Sequence, residues 1–263
     1  MNEIEFKGKK IRYYVQGEGE TMVLIHGYLE ALEIWNGFAG ELAKNFKVIR
    51  MDIPGHGSSG IVDETHSMEL LAEAVKAVLD EEEVTKCSMV GHSLGGYVTL
   101  AFLENYPDRL RRVSLFHSHP FADSPQVKAN REREIELVKK GKEKDIFETN
   151  VPKVFADKNL DELEEYVEWA KKIAYLTNGE GIIANLKGMM RRSDRSKLVK
   201  ETAKPFLLIA GVHDNYISYE AVIPQIELPD KGKIITLEHS GHLGFVEERK
   251  RSLEIIYDFM KDS

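Results

Sequence analysis

Short apolar runs recur through the first half of the chain and again near its end, and most of them stop at a glycine, a histidine or an acidic residue. Continuous apolar runs with such endings are typical of strands that are buried on both faces of a parallel sheet. Two further runs near the start, separated by Gly8, predict a hairpin. The predicted strands cover 4–7, 11–15, 22–25, 48–51, 89–90, 113–116, 205–210 and 234–237.

Between these runs, apolar residues recur at three- and four-residue spacing, which predicts helices over 32–44, 68–80, 93–106 and 251–260. Ser67 is well placed to cap the second helix, and Pro107 ends the third. Strands that alternate with helices form βαβ units with right-handed crossovers. The pattern therefore predicts an α/β fold with a mostly parallel sheet flanked by helices.

The segment 120–200 differs from the rest because it is densely charged and contains no convincing strand. Ser124 and Pro125 form an N-cap and first-turn signal for a helix that reaches residue 140. Further helices are predicted over 159–176 and 181–192, and the charged run 131–144 is interpreted as solvated helix surface. We therefore expect a core built from 1–119 and 201–263, with 120–200 inserted as a helical cap.

Charge and composition restrict the class of ligand. Of the 263 residues, 36 are basic and 44 are acidic, and the net charge of −8 argues against binding to a nucleic-acid backbone. A single cysteine, Cys87, excludes an intramolecular disulfide. Neither a signal peptide nor an apolar run long enough to span a membrane is recognisable, so we expect a cytoplasmic protein with a small-molecule substrate and no membrane partner. No pattern indicates an oligomeric state.

The strongest chemical motif is the sequence GHSLG at 91–95, with the serine at Ser93. G-x-S-x-G is weak evidence alone, but here it follows a predicted strand and opens a predicted helix, which is the setting of a nucleophile elbow. In that setting the serine side chain projects from the carboxyl edge of the sheet. The backbone N–H of Leu94 then lies at a helix N-terminus, where it can donate to an oxyanion.

A serine nucleophile needs a base and an orienting carboxylate, and both follow Ser93 at predicted strand ends. Asp214 comes just after the strand 205–210, and His242 comes just after the strand 234–237. The order Ser, Asp, His along the chain is the order expected when the serine lies in a nucleophile elbow. Tyr28 follows the strand 22–25, where the backbone N–H of a second oxyanion donor is expected.

These motifs resemble those of the α/β-hydrolase superfamily, in its cap-bearing, esterase-like branch. The matching sequences are HGY at 26–28, DIPGHGSS at 52–59, GHSLGG at 91–96, GVHDNYIS at 211–218 and SGHLGFVEE at 240–248. The resemblance covers nearly the whole chain except the cap. It implies an eight-stranded sheet with an antiparallel second strand and a cap after strand six. It also implies Ser93 as nucleophile, Asp214 as acid and His242 as base, with the Tyr28 and Leu94 amides as the oxyanion hole.

Two residues compete with these assignments. Asp123 lies where some relatives carry the acid, and His239 is close to His242 in the chain. The pair His117 and His119 suggests a metal, but two ligands without a third cluster do not make a zinc site, so no metal and no cofactor are predicted. Residues expected to contact the substrate are Trp35, His117, His119, Phe121 and Trp169.

The sequence thus predicts a serine hydrolase that cleaves a carboxylic ester of a small substrate. Two alternatives remain open at this point. A C–C bond hydrolase, or a lyase like that of the menaquinone pathway, uses the same three residues, and a ligand-sensing protein can keep a hydrolase scaffold with little turnover.

Overall fold

A computed structural model describes residues 1–261 of the chain. Within them eight strands form one sheet in the order β1-β2-β4-β3-β5-β6-β7-β8. The strands are β1 (Asn2–Phe6), β2 (Lys9–Gln16), β3 (Thr21–Ile25), β4 (Lys47–Met51), β5 (Cys87–His92), β6 (Leu110–Phe116), β7 (Phe206–Gly211) and β8 (Gly232–Leu237).

The first two strands are antiparallel to their neighbours, and β3 to β8 are parallel to one another. The predicted N-terminal hairpin, the antiparallel second strand and the parallel sheet are therefore confirmed. The central strands β3, β5 and β7 are buried along their whole length, as continuous apolar runs require. All six parallel strands have their carboxyl ends at one edge of the sheet, where ligand sites form in open α/β folds.

Eleven α-helices accompany the sheet in the described residues. They are α1 (Asn36–Leu42), α2 (Met68–Glu81), α3 (Leu94–Asn105), α4 (Pro125–Lys139), α5 (Glu143–Asn150), α6 (Glu164–Ala174), α7 (Gly179–Arg191), α8 (Ser196–Glu201), α9 (Tyr219–Val222), α10 (Gly244–Glu247) and α11 (Arg249–Lys261). Short 3₁₀ helices cover Leu32–Trp35, Pro107–Arg109, Pro152–Val154, Asp157–Asn159 and Ile223–Gln225. None of the helices within 1–261 is both long enough and apolar enough to cross a bilayer.

Helix caps agree with the sequence signals at several starts. The Ser67 hydroxyl accepts a hydrogen bond from the Leu70 amide at 3.1 Å, and Ser124 caps α4 in the same way at 3.3 Å. The helix predicted over 32–44 is divided instead, with a 3₁₀ turn before α1. In both capped cases the side-chain oxygen satisfies an amide that has no partner inside its own helix.

The segment between β6 and β7 contains five helices, α4 to α8, and no strand. The predicted helix over 159–176 begins later, at Glu164, and the Asn159 side chain makes contacts outside this helix. Its amide donates to the His239 carbonyl and to Glu247, each at 2.8 Å, so it joins this segment to the loop after β8 rather than capping a helix. We refer to 120–200 as the cap segment.

Candidate active site

Ser93 lies in the turn between β5 and α3. Its backbone has φ 49° and ψ −115°, a left-handed conformation that is strained for a residue with a Cβ. A side chain at Gly91 would collide with the Gly95 carbonyl oxygen, and one at Gly95 would collide with the carbonyl oxygen of Ile25. The two glycines therefore allow the tight turn that holds the serine at the sheet edge.

A hydrogen bond joins Asp214, which follows β7, to His242, which follows β8. The distance from His242 Nδ1 to Asp214 Oδ2 is 2.7 Å, and both side chains are buried. The other carboxylate oxygen, Oδ1, accepts the backbone amides of Tyr216 and Ile217 at 2.8 and 2.9 Å. These amides fix the carboxylate, and the carboxylate in turn fixes the orientation of the imidazole.

The charges of this pair stabilise each other. Burial opposes ionisation of Asp214, but the charge and hydrogen bond of His242 hold the pKa of the carboxyl well below its usual range. Burial likewise opposes protonation of His242, and the Asp214 carboxylate overcomes it, so the pKa of the imidazole is raised above its ordinary value of 6.5. The arrangement thus favours an imidazolium beside a carboxylate, the state that a general base reaches after it takes a proton.

Ser93 and His242 both line one cavity of about 630 Å³ between the carboxyl edge of the sheet and the cap segment. The Ser93 hydroxyl makes no hydrogen bond with any residue in 1–261, so its oxygen is not engaged elsewhere. The carbonyl of Ser93 accepts from the Ser118 hydroxyl at 2.8 Å, and its amide donates to the Phe116 carbonyl at 3.0 Å. The backbone of Ser93 is therefore held by two hydrogen bonds, while its hydroxyl has no hydrogen-bond partner in 1–261.

Two backbone amides next to this cavity have no partner. The Leu94 amide opens α3, and the Tyr28 amide follows the turn after β3. Neither donates a hydrogen bond to another residue within the described chain. Free amides beside a helix N-terminus are suited to bind a negatively charged oxygen.

A buried hydrogen-bond network joins the turn after β3 to the His242 loop. Glu30 Oε2 accepts from the Gly27 amide at 2.6 Å and lies 3.0 Å from Nδ1 of His92. The other ring nitrogen of His92 lies 2.8 Å from the His242 carbonyl oxygen. Although burial opposes its ionisation, the pKa of Glu30 is lowered by His92 and by the Gly27 amide. The network therefore holds the turn that presents Tyr28 against the loop that presents His242.

Comparison with known proteins identifies the family. The family model described as "alpha/beta hydrolase fold" matches residues 20–249. The chain belongs to the α/β-hydrolase family. It is 26% identical over 261 residues to the pimeloyl-[acyl-carrier protein] methyl ester esterase of Aeromonas hydrophila, a match that covers 93% of this chain and 96% of that protein.

Solved structures agree with this family assignment. A thermophilic esterase from Thermogutta terrifontis superposes with a TM-score of 0.92 at 26% identity and covers 96% of this chain and 93% of that one. The enol-lactonase of Burkholderia xenovorans LB400 superposes with a TM-score of 0.91 at 20% identity and covers 99% and 100%. At 20% identity the second likeness concerns the fold alone. The comparisons together support a hydrolase.

In this α/β-hydrolase fold, Glu247 secures the His242 loop. Its Oε1 accepts the amides of Gly241 and Leu243 at 2.8 and 3.3 Å, and its Oε2 accepts the Ala156 amide at 2.8 Å and the Asn159 side chain. One carboxylate thus connects the loop to the cap segment. The sequence shows Glu247 five residues after His242, but its contact with residue 156 depends on the tertiary fold.

His117, which the sequence predicts to contact the substrate, does not line the cavity. The ring is fully buried and has Nδ1 3.5 Å from Oδ2 of Asp214. Its ring nitrogens also face the amides of Gly211 and Gly244, at 3.2 and 3.1 Å. Burial lowers the pKa of His117 to about 4, which keeps the ring neutral. It reaches Asp214 because β6 and β7 end at the same edge of the sheet.

The atoms of His117, Asp214 and His242 that could bind a metal lie within 4.8 Å of one another. The carboxylate and the two rings already face each other in this arrangement, and His242 Nδ1 is bonded to Asp214. These contacts make the cluster a carboxylate with two imidazole neighbours.

The two tryptophans expected at the substrate also lie outside the cavity wall. Trp35 is fully buried, with its ring centroid 4.2 Å from that of Phe245. It is part of the hydrophobic core. Trp169 is half-buried and packs edge-on against Tyr166, while its neighbour Ala170 lines the cavity. The rotation of the helix about its axis decides whether Trp169 or Ala170 faces the cavity, and the sequence does not fix that rotation to within one residue.

His119 and Phe121 do line the cavity, with their rings stacked at 5.7 Å. The competing acid Asp123 also reaches the wall, but its carboxylate is bonded to two arginines, Arg131 and Arg192, rather than to an imidazole. Arg131 therefore does not belong to a solvated helix surface, as the charged run 131–144 had suggested.

The other competitor, His239, is exposed. Its Nδ1 lies 3.4 Å from Nζ of Lys158, and its amide donates to Glu248 at 2.8 Å. It does not line the cavity in which His242 lies, and its contacts are on the exposed side of the loop.

Proposed function

We propose that this protein hydrolyses a carboxylic ester of a small substrate through an acyl-enzyme, with Ser93 as nucleophile, His242 as general base and Asp214 as the orienting acid. One observation supports this most strongly. The buried Asp214–His242 pair, bonded at 2.7 Å, opens onto the same cavity as a serine held in a strained turn. A bonded acid–base pair beside an unengaged hydroxyl is the arrangement that nucleophilic catalysis requires.

Acylation begins when the substrate carbonyl enters the cavity. The hydroxyl of Ser93 rotates to His242 Nε2, which takes its proton as the oxygen attacks the carbonyl carbon. Hydrogen bonds of this kind are often absent without substrate and form in the complex. The carbonyl oxygen becomes an oxyanion, and the free amides of Tyr28 and Leu94 donate to it, at roughly 3–4 kcal/mol per donor in comparable hydrolases.

Deacylation repeats the same proton transfers with water. The tetrahedral intermediate collapses, and the leaving alcohol takes the proton from His242. A water molecule then gives a proton to His242 as it attacks the acyl carbon. When the second tetrahedral intermediate collapses, the bond from carbon to the Ser93 oxygen breaks, that oxygen takes the proton from His242, and the acid leaves. Asp214 stays ionised throughout and stabilises the imidazolium at each transfer.

The relatives support ester chemistry. The Aeromonas protein is an esterase of a methyl ester, and the Thermogutta protein is an esterase. These names bear on the bond that is broken and leave the substrate of this protein to be determined.

The decisive experiment is Ser93→Ala, measured with p-nitrophenyl acetate and butyrate. Loss of the nucleophile lowers kcat by about 10³-fold or more. The matched control is Ser114→Ala, since Ser114 is a buried serine in β6 whose hydroxyl has no partner in the described residues. Wild-type turnover in Ser93→Ala would refute the assignment.

The same panel separates the alternatives. Multiple turnovers of an ester, with fluorophosphonate labelling at Ser93, count against a ligand-sensing protein with incidental activity. A strong preference for a vinylogous diketone over every ester would replace ester hydrolysis with C–C bond cleavage.

A further inference from the structure

The cap-segment side of the cavity has a cluster of hydrogen-bond donors that the proposed reaction does not use. The cluster consists of Tyr97, Arg131 and Arg192, all of which line the cavity. Arg192 stacks on Tyr97, with its guanidinium carbon 3.9 Å from the ring centroid, and its side chain is only 2% exposed. Arg131 is largely buried, with 16% of its side chain exposed, and charged groups that are held out of water need a counter-charge.

Asp123 neutralises only part of this charge. Its Oδ2 accepts from Arg131 Nε at 2.7 Å, and its Oδ1 accepts from Nη2 of Arg131 and Nη1 of Arg192. Arg192 also donates to the Phe121 and Met189 carbonyls. One carboxylate thus serves two guanidinium groups, so Asp123, Arg131 and Arg192 together carry one net positive charge.

The remaining guanidinium nitrogens are unsatisfied. In residues 1–261, Nη1 of Arg131 and Nη2 of Arg192 make no hydrogen bond. Each carries two N–H groups, and a guanidinium has no acceptor. An apolar substrate would remove water from these groups without replacing its hydrogen bonds, which is costly.

The hydroxyl of Tyr97 is also available to donate a hydrogen bond into the cavity. The Phe121 amide donates to His119 Nδ1 at 3.2 Å, so the proton of the neutral ring is on Nε2. That nitrogen lies 3.2 Å from the Tyr97 oxygen, which therefore accepts and keeps its own O–H for the cavity. Burial and the charge of Arg192 lower the pKa of His119 to about 3, which keeps the ring neutral.

Glu134 is the one other carboxylate of α4 on the cavity wall, and it is already satisfied. Its Oε1 accepts from the Tyr28 hydroxyl at 2.8 Å and from the Asn150 amide at 3.4 Å. Burial raises the pKa of Glu134 above its ordinary value.

We propose that Tyr97, Arg131 and Arg192 bind an anionic group, a carboxylate, at the far end of the acyl part of the substrate. The inference rests on the proposed ester hydrolysis and names its substrate class as half-esters of short dicarboxylic acids. A planar carboxylate takes two N–H donors from guanidinium groups. The preference opposes the overall charge of −8, which repels anions, so a positive result has to come from local contacts.

The test compares mono-p-nitrophenyl esters of succinate, glutarate and adipate with analogues in which the free carboxylate is a carboxamide of the same shape. We expect the kcat/KM of the wild-type protein to be at least about tenfold higher for the charged ester than for its carboxamide analogue in one or more of the pairs. Arg131→Gln removes most of that ratio. Arg133→Gln, at an exposed arginine of the same helix, keeps it. A purely structural role for Arg131 would lower both esters of a pair equally.

Binding gives a readout that does not depend on ester turnover. Glutarate raises the Tm of the wild-type protein and of Arg133→Gln more than glutaramide does, and the difference is lost in Arg131→Gln. A charged-to-neutral ratio of one or less at all three lengths, or equal shifts with glutarate and glutaramide, would overturn the proposal even if Ser93 is shown to be the nucleophile. A glutarate-specific shift without ester turnover would keep the anion site and refute the ester hydrolysis.

Discussion

The two walls of the cavity are built by different means. The sheet-edge wall consists of loops that follow β5, β7 and β8, and its groups are held by backbone: Ser93 by a strained φ, and Asp214 by two amides. The cap-segment wall consists of helices, and its groups are held by side chains, mainly the Asp123 carboxylate between Arg131 and Arg192. Our two proposals therefore place the chemistry and the choice of substrate in different parts of the fold.

This difference teaches what each wall tolerates. Backbone-held groups depend on glycines and on strand order, so a small change there alters the geometry of the reaction. Side-chain-held groups depend on charge and length, so a substitution can change which substrate fits without moving the reacting atoms. Variants at the first wall should therefore lower kcat for every substrate, and variants at the second should alter ratios between substrates.

The largest effect is expected for Asp214→Asn. The amide can still accept the Tyr216 and Ile217 amides through its oxygen, but its NH₂ then faces His242 and favours the wrong tautomer. An asparagine at this place in a serine protease lowers kcat by about 10⁴-fold. Steady-state kinetics with p-nitrophenyl butyrate measures the change, with Asp230→Asn on an exposed loop as the control. Equal losses for charged and neutral esters are expected, and a selective loss would contradict the division between the walls.

A second prediction concerns Glu247, which joins the two walls. Glu247→Ala leaves the amides of Ala156, Gly241 and Leu243 without their acceptor. We expect a loss of about 2–4 kcal/mol in the free energy of unfolding, since unsatisfied buried donors are costly. Thermal and urea unfolding measure it.

The control for this change is Glu254→Ala, at an exposed glutamate of α11. If Glu247→Ala and Glu254→Ala unfold at the same temperature, the carboxylate does not hold the loop to the cap segment.

The smallest effect comes from pH. Only neutral His242 can accept the serine proton, and Asp214 raises the pKa of the ring above 6.5. The kcat/KM for a neutral ester therefore rises with pH, with a midpoint above 6.5, and falls about tenfold per pH unit below it. In Asp214→Asn the midpoint moves down because the charge that favours the imidazolium is gone. A wild-type midpoint below 6 would contradict the electrostatic role of Asp214.

The sequence alone determined the architecture and most of the sheet-edge wall. Buried parallel strands are continuous apolar runs, and each run shows where a loop leaves the carboxyl edge, so Ser93, Asp214 and His242 could be placed together from their positions after strands. The turn around Ser93 was readable because its geometry requires glycine at Gly91 and Gly95. A constraint on the backbone of a few consecutive residues can be recognised in the sequence of those same residues.

Only the tertiary structure decided the second wall. Arg131 and Arg133 lie in the same charged run, and their pattern does not show that one is buried beside Asp123 while the other is exposed. The same holds for Trp35, which packs into the core, and for His117, which lies behind Asp214. Such contacts join residues that are far apart along the chain, and they depend on how a helix is rotated against the sheet. A helix rotated by the angle between two successive residues, about 100°, turns a side chain from the solvent towards the cavity.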